Sequence, residues 1–425
     1  MKKFILSVHG LGSEGEGVGY HDGYTLFVDG ALPGETVEVE VFEEKKRYGR
    51  ARLLRIVSPS PDRVVPPCKL FGTCGGCQLM HLAYPKQLEM KRKRVIDALT
   101  RIGKIEASVV MPCAPSPTPL AYRNKIQLPK QGRKLGLYAK NSHDLIEVET
   151  CHIHAALGDA VYRVCREILA ACDALRHILI KTTRENEEAL LILVTAAGSA
   201  PAQDLAERLM AAHPAIKGVV HNLHAGPENV ILGTDYKLLA GTPYLLEKLC
   251  GLTFRVSPAS FFQVNPLQAE RLYLKALDLA ELTGHETVLD AYCGVGTLSL
   301  IFAKSAKQVI GVEAVPQAIH DARENARLNG ITNVAFIAAS CQQYIRQLKT
   351  VDLALINPPR TGCDPAFLDG IGALKPKKLL YISCNPATLA RDLNHLTRFG
   401  YRTLSVHPFD MFPQTAHVEC IAALA

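Results

Sequence analysis

At 425 residues, 48% of them apolar and only 6% aromatic, the chain is long enough for two or three cores and reads as globular α/β protein, which excludes disorder. The apolar stretch after Met1-Lys2-Lys3 is too short for a signal peptide, and no run approaches the ~18 residues of a membrane span, so a cytoplasmic protein with no membrane association is expected. Thirteen cysteines in a reducing compartment read as metal ligands or nucleophiles rather than disulfides, and the net charge of +7, mild for a nucleic-acid binder, is clustered in sequence.

Residues 1–57 alternate short β-rich runs, such as Tyr24–Val28 and Thr36–Phe42, with Gly-rich turns, and end in Lys45, Lys46, Arg47, Arg50, Arg52 and Arg55. That pattern predicts a small β-barrel with a basic edge. Four prolines between Val57 and Pro67 mark a boundary. A cysteine-rich loop follows, and then Pro85–Lys104 reads as an amphipathic helix bearing Lys86, Lys91, Arg92, Lys93, Arg94, Arg101 and Lys104, either a solvated face or an RNA grip.

From about 108 to 255, strands such as Ala189–Thr195 and Gly218–Leu223 mix with a helix around Ala202–His213, which predicts an α+β unit serving as scaffold and surface. Beyond 256, strands at Thr287–Ala291, Gln308–Glu313, Val334–Ala338, Asp352–Ile356 and Lys378–Ser383 alternate with helices. Such alternation predicts a parallel, doubly wound sheet. Tyr401–Phe409 and His417–Leu424 would close it as an antiparallel edge. The expected units are therefore 1–57, 58–255 and 256–425.

In the last unit a buried strand runs into Asp290-Ala291-Tyr292-Cys293-Gly294-Val295-Gly296, a turn where backbone can approach a ligand. About twenty residues on, Glu313 ends the next strand, where a carboxylate can accept from ribose hydroxyls. The third glycine of a dinucleotide turn is missing, since Ser299 stands there; Asp-x-x-x-Gly-x-Gly resembles class I enzymes that bind S-adenosylmethionine instead. Asn357-Pro358-Pro359 followed by an aromatic would suggest adenine amino methylation, but Arg360 occupies that stacking position.

Cys384 follows the fifth strand on the same sheet edge, in Ser383-Cys384-Asn385-Pro386. Carbon 5 of uracil is too poor a nucleophile to attack a methyl sulfonium unaided, and a thiolate added at carbon 6 makes it enolate-like. The carbon 5 proton must then leave, and Glu419, set among the apolar residues Val418, Ile421 and Ala422, is the candidate base. Taken alone, Cys384 reads as a buried structural thiol; pairing with Glu419 and the cofactor turn gives it a chemical role. Cys68, Cys74 and Cys77 with the distant Cys151 suit an iron–sulfur cluster or a four-thiolate zinc site, and His81, His152 and His154 keep a mixed zinc site open.

Together these residues make the chain similar to the RNA uracil-5-methyltransferases, most closely their bacterial 23S rRNA members. The resemblance spans essentially the whole chain and rests on Cys68 to His81, Tyr122-Arg123-Asn124-Lys125, Ser142 to Cys151, Phe261-Phe262-Gln263-Val264-Asn265, Ser383 to Pro386 and His417-Val418-Glu419. It implies a C-terminal class I (Rossmann-like) methyltransferase domain, an N-terminal OB-like TRAM barrel that grips RNA, and a central α+β domain carrying the cysteines. It further implies a [4Fe-4S] cluster on Cys68, Cys74, Cys77 and Cys151, S-adenosylmethionine contacts from Gln263, Tyr292, Gly294, Glu313 and Asn357, Cys384 as nucleophile and Glu419 as proton acceptor. Most relatives carry Asp where Asn357 stands, and often Asn where Thr297 stands. The implied partner is RNA, rRNA before tRNA because tRNA members generally lack barrel and cysteine cluster, with no obligate protein partner. The competing readings are the same chemistry on tRNA, adenine amino methylation, and a non-catalytic RNA binder.

Overall fold

The computed structural model describes residues 3–196, 203–224 and 231–425. Strands β1 (Lys3–Leu11), β2 (Gly17–His21), β3 (Tyr24–Val28), β4 (Thr36–Glu44) and β5 (Tyr48–Ser58) close into a barrel in the order β1-β2-β3-β5-β4. Alternation along them turns Leu6, Val8, Leu26, Val28, Val37, Val39, Val41 and Ala51 inward to fill it. Closure leaves no long open edge.

A turn-rich stretch holding Cys68, Cys74 and Cys77 leads into helix α1 (Tyr84–Ala98), which starts with Pro85 in its first turn and runs on as one π-helical turn over Leu99–Gly103. Lys104 ends it in the left-handed conformation, φ 56°. Its apolar stripe, Val95 and Leu99, packs into a core shared by the C-terminal domain and by Val110 and Cys113 of the sequence that follows it.

The central sheet is built from β6 (Lys125–Gln131), β7 (Lys134–Tyr138), β8 (Leu145–Glu147), β9 (Leu175–Thr182), β10 (Ala189–Ala196), β11 (Ile216–His224) and β12 (Asp235–Gly241), in the order β12-β11-β10-β9-β6-β7-β8. Helices α2 (Ala156–Leu169) and α3 (Gln203–Ala212) share one core with it; the expected start of α3 at Ala202 lies outside the described residues. A hairpin, β13 (Leu245–Leu249) and β14 (Leu252–Val256), comes next. Although it precedes residue 256, it sends Leu249, Leu252 and Phe254 into the core of the C-terminal unit.

After α4 (Pro266–Ala280) the chain is doubly wound: β15 (Thr287–Ala291), α5 (Thr297–Ala303), β16 (Gln308–Glu313), α6 (Pro316–Leu328), β17 (Val334–Ala338), α7 (Cys341–Tyr344), β18 (Leu353–Ile356), α8 (Pro365–Leu374), β19 (Lys378–Ser383), α9 (Pro386–Leu396), β20 (Thr403–Phe409) and β21 (Glu419–Leu424). The sheet order is β17-β16-β15-β18-β19-β21-β20, with β21 and β20 antiparallel. This is the class I methyltransferase arrangement the sequence implied. The final strand β21 sits inside, next to β19, because all six of its residues are buried, whereas β20 alternates buried with partly exposed positions and takes the edge. The order reverses between β15 and β18, which opens a ligand crevice at the carboxyl ends of these strands.

Candidate active site

At the end of β15, Tyr292 (φ 62°), Gly294 (φ 56°) and Gly296 (φ 78°) bend the backbone into helix α5. A Cβ on Gly296 would also meet the Phe336 ring at 2.7 Å, while one on Gly294 meets nothing within 4 Å. Gly294 thus faces open space, and its left-handed φ is what calls for glycine. Glu313, ending β16, accepts from the Gly294 amide (3.2 Å) and the Val315 amide (3.0 Å). Each oxygen keeps accepting capacity for a ligand hydroxyl.

Asp290 lies wholly buried beneath the turn and accepts from the Ser299 hydroxyl at 2.5 Å, so the residue standing in place of a third glycine holds a carboxylate. Its other oxygen is unpartnered, and burial pushes its pKa up to about 7. Tyr292 packs edge-on against Phe367, ring centroids 5.5 Å apart, with Cys363 among its electrostatic neighbours. Gln263, half-buried ahead of α4, lies near Tyr273, a buried tyrosine close to both Glu419 and Asp290. Tyr273 carried no signal in the sequence, where an isolated tyrosine on an apolar helix face reads as core.

Asn357 follows β18, and its amide donates to the Ala291 carbonyl (3.3 Å), which fixes it beside the glycine turn. Cys384 follows β19. Asn385 caps α9 by accepting from the Ala387 amide, and its side-chain amide donates to the Arg360 carbonyl (3.1 Å), joined there by the Thr388 hydroxyl (3.3 Å). Arg391 donates to the Thr361 carbonyl at 3.1 Å. Helix α9 therefore ties the loop after β18 to the loop after β19, and the Arg360 guanidinium comes near enough to the Cys384 thiol to pull its pKa down against burial. That contact was not legible in the sequence, where Arg360 counted only as a departure from a stacking aromatic.

Antiparallel pairing sets Ser383 opposite Cys420, so one further step of register brings Cys384 and Glu419 face to face. Glu419 is buried, 4% exposed, and burial pushes its pKa up to about 8 against the pull of Arg360. Burial also pushes the Cys384 thiol up; the Glu419 charge adds to this and Arg360 opposes it. The two acids disfavour joint ionisation, and one cation serves whichever carries the charge.

The cysteine segment is built differently. Cys68, Cys74 and Cys77 sit on turns joined by isolated bridges, Phe71 to Cys74 and Cys74 to Ala139, and the Cys151 amide donates to Asp159 at 3.0 Å. Cys68, Cys77 and Cys151 pack against Met80, Tyr122 and Ile153. The Cys77 thiol, raised mainly by burial, is raised further by Cys151, Cys74 and Cys68, so the four are electrostatic neighbours. Among the described residues, however, no three His, Cys, Asp or Glu side chains stand at metal-binding spacing. The donor set, four thiols in a largely apolar setting, fits an iron–sulfur cluster in chemistry. His81 is buried with both ring nitrogens unpartnered; burial pushes its pKa down to about 4, and its ring lies tilted against that of Phe71 with centroids 4.9 Å apart.

Of the cations expected to form an RNA grip along α1 and its extension, Arg101 and Lys104 stay exposed, while the others are turned to partners. Lys91 is buried and pairs with Asp410, Arg92 donates to the Val110 carbonyl (2.7 Å), and Arg94 donates to the Ala416 carbonyl (2.5 Å). Lys86 and Lys93 are spent on Glu89 and Asp97, each at 2.7 Å. On the barrel, Arg55 pairs with Glu38 and Lys45 with Glu43, while Lys46 and Arg47 make no ion pair among the described residues. No described helix is long and apolar enough to cross a membrane.

Two family models match the sequence: the TRAM domain over residues 4–54 and tRNA (uracil-5-)-methyltransferase over residues 234–425. A Halalkalibacterium halodurans protein described as an uncharacterized RNA methyltransferase is 42% identical, covering 99% of this chain and 96% of its own; a Listeria innocua protein so described matches at the same identity and coverage. Among solved structures, the Pyrococcus abyssi tRNA (uracil-54, C5)-methyltransferase in complex with S-adenosyl-L-homocysteine superposes with a TM-score of 0.81 at 28% identity, over 99% of this chain and 100% of that one. An enzyme that acts on tRNA thus matches the chain over its full length, so carrying all the segments of this architecture does not by itself point to rRNA.

Proposed function

The chain belongs to the RNA uracil-5-methyltransferases, and on that premise we propose that it methylates carbon 5 of a uridine in 23S rRNA with S-adenosylmethionine, through a covalent bond from Cys384 to carbon 6. The observation that carries this reading is the meeting of Cys384, Glu419 and Arg360 at one sheet edge, beside the turn of Tyr292 to Gly296. Adenine amino methylation needs neither the thiol nor the buried carboxylate.

S-adenosylmethionine supplies the electrophilic methyl group. Glu313 would take the ribose hydroxyls, the open backbone at Gly294 would approach the ligand, and Gln263, Tyr292 and Asn357 would line its place. An amide at 357 still accepts a hydrogen bond where a carboxylate would, without adding charge next to Cys384 and Glu419. Arg360 stabilises the Cys384 thiolate, which adds to carbon 6. Carbon 5 then takes the methyl group, Glu419 accepts the carbon 5 proton, and the carbon 6–sulfur bond breaks to return the thiolate.

Cys68, Cys74, Cys77 and Cys151 would hold a [4Fe-4S] cluster that orders their segment; methyl transfer needs no electron. RNA would be gripped by the barrel, through Lys46 and Arg47, with the target base flipped from its stack. In this division of labour residues 1–57 bind RNA, 58–255 carry the cluster and scaffold, and 256–425 perform chemistry in the cytoplasm. A tRNA substrate is the second reading, favoured by the full-length likeness to the archaeal tRNA enzyme.

Incubation of anaerobically purified protein with labelled S-adenosylmethionine, unmodified 23S rRNA and unmodified tRNA tests this. Label in 5-methyluridine from rRNA is the expected result. The same nucleoside from tRNA alone overturns the substrate, and N6-methyladenosine overturns the chemistry.

A further inference from the structure

Glu419 reaches the sheet edge at the end of a strap, residues 410–418, that links β20 to β21. Among the described residues the Glu419 carboxylate makes no hydrogen bond, so its aim is set by the backbone where the strap enters β21, with Glu419 paired to Phe409 of β20. The strap is irregular yet almost entirely buried. At its centre Gln414 holds a left-handed φ of 70°. A residue with a Cβ keeps that conformation only when its surroundings impose it.

The surroundings here are specific. The Gln414 carbonyl accepts from the amides of Gln78 (3.0 Å) and Leu79 (2.9 Å), which directly follow Cys77. Its amide donates to Gln87 Oε1 (3.1 Å), its Oε1 accepts from Gln87 Nε2 (3.0 Å), and its Nε2 donates to the Pro119 carbonyl (3.2 Å). Every polar group of Gln414 is engaged. Gln87, 1% exposed on α1, also donates to the carbonyls of Leu79 (3.1 Å) and Leu82 (2.8 Å). The rest of the strap is clamped from the same directions: Lys91 donates to the Phe412 carbonyl (3.0 Å), Tyr122 to that of Pro413 (3.1 Å) and Arg94 to that of Ala416.

We propose that Gln414 and Gln87 are positioning residues for the base, a glutamine clasp through which the cysteine segment and α1 hold Glu419 at the distance proton abstraction requires. The proposal rests on the reading of Glu419 as the proton acceptor. It follows from geometry: a base must come within about 3 Å of its proton, and a 1 Å displacement can cost on the order of a hundredfold in rate. With no hydrogen bond of its own, the Glu419 side chain depends on where the strap lets β21 begin. Attack by Cys384 and methyl transfer come first and depend on β19 and α9, to which neither Gln87 nor Gln414 is hydrogen-bonded.

Gln87→Ala and Gln414→Gly test this in the full-length protein with RNA and labelled S-adenosylmethionine. Glycine keeps the left-handed turn and the carbonyl bonds to Gln78 and Leu79 while removing the side chain. Expected are first-turnover methyl transfer close to that of the unaltered enzyme, a steady-state kcat lower by about ten- to a hundredfold, an unchanged KM for RNA, and build-up of a methylated covalent enzyme–RNA adduct. Unaltered kcat with no adduct in both variants overturns the clasp, as does equal slowing of both steps, which signals general structural loss. Glu419→Gln is run alongside. If it accumulates adduct and the clasp variants do not, positioning alone fails; if it turns over freely, the role of Glu419 fails and the clasp falls with it.

Discussion

The two cysteine-bearing regions of this molecule are organised by opposite means. At the methyltransferase edge every reactive group stands at or one step from the end of a regular strand: Tyr292 after β15, Glu313 closing β16, Asn357 after β18, Cys384 after β19 and Glu419 opening β21. Sheet register then decides who meets whom, and pairing of Ser383 with Cys420 brings Cys384 and Glu419, the proposed nucleophile and base, together. In the segment from Cys68 to Leu82 there is no strand to set a register. Turns, isolated bridges and single hydrogen bonds place each thiol. Chemistry that must repeat with fixed geometry rests on the rigid frame, and the irregular region acts on it only through contacts such as the Gln78 and Leu79 amides on Gln414.

The sharpest way to break this contrast is Cys384→Ala, for which turnover falls to background while RNA binding persists, as read by nucleoside analysis and filter binding. Retained methylation would remove the nucleophile from the strand end. Arg360→Ala comes next. Losing the guanidinium that holds the thiol down raises the Cys384 pKa, so first-turnover methylation at neutral pH drops by about tenfold for every pH unit that the thiol climbs. It recovers on raising the pH, with Arg360→Lys restoring part of it.

The pH dependence of adduct breakdown sharpens the contrast further. Glu419 accepts a proton only when ionised, and burial holds its pKa up near 8, so breakdown rises with pH up to about 8 and then levels. The sign for stability is opposite: between the ordinary carboxylate range and pH 8 the unfolded chain has released a proton that the folded one keeps, and folding stability declines as pH climbs. Gly296→Ala sets a Cβ 2.7 Å from the Phe336 ring at a left-handed φ and is expected to cost about 1–3 kcal/mol, seen as a lower midpoint in urea. The smallest effect on the first turnover is expected of Cys77→Ser, which on the proposed cluster ligation loses iron and sulfide by assay and lowers Tm, yet leaves first-turnover methyl transfer nearly intact.

What the sequence made legible follows the same division. Strands β15, β16, β17 and β19 fall on the runs expected of them because unbroken apolar stretches bounded by glycine, proline and asparagine leave a buried parallel sheet little alternative. Cys384 and Glu419 could be singled out for the same reason: polar or reactive residues at strand ends stand out against apolar neighbours. The interior place of β21, the use of Arg92 and Arg94 as anchors for loop carbonyls, the pairing of Lys91 with Asp410, and the contact of Arg360 with the thiol could not be read. Each depends on which distant segment a side chain meets, and a basic helix looks alike in sequence whether its cations face solvent or buried carbonyls. The buried Gln87–Gln414 pair belongs with these, since its partners lie more than three hundred residues apart.

The most direct test of covalent catalysis by Cys384 is to incubate the Glu419→Gln protein with S-adenosylmethionine and unmodified rRNA, digest both polymers and identify the covalent fragment by mass spectrometry. The expected product is a methylated uridine attached to the peptide that contains Cys384. Absence of any adduct, or attachment to another cysteine such as Cys293 or Cys363, would contradict it.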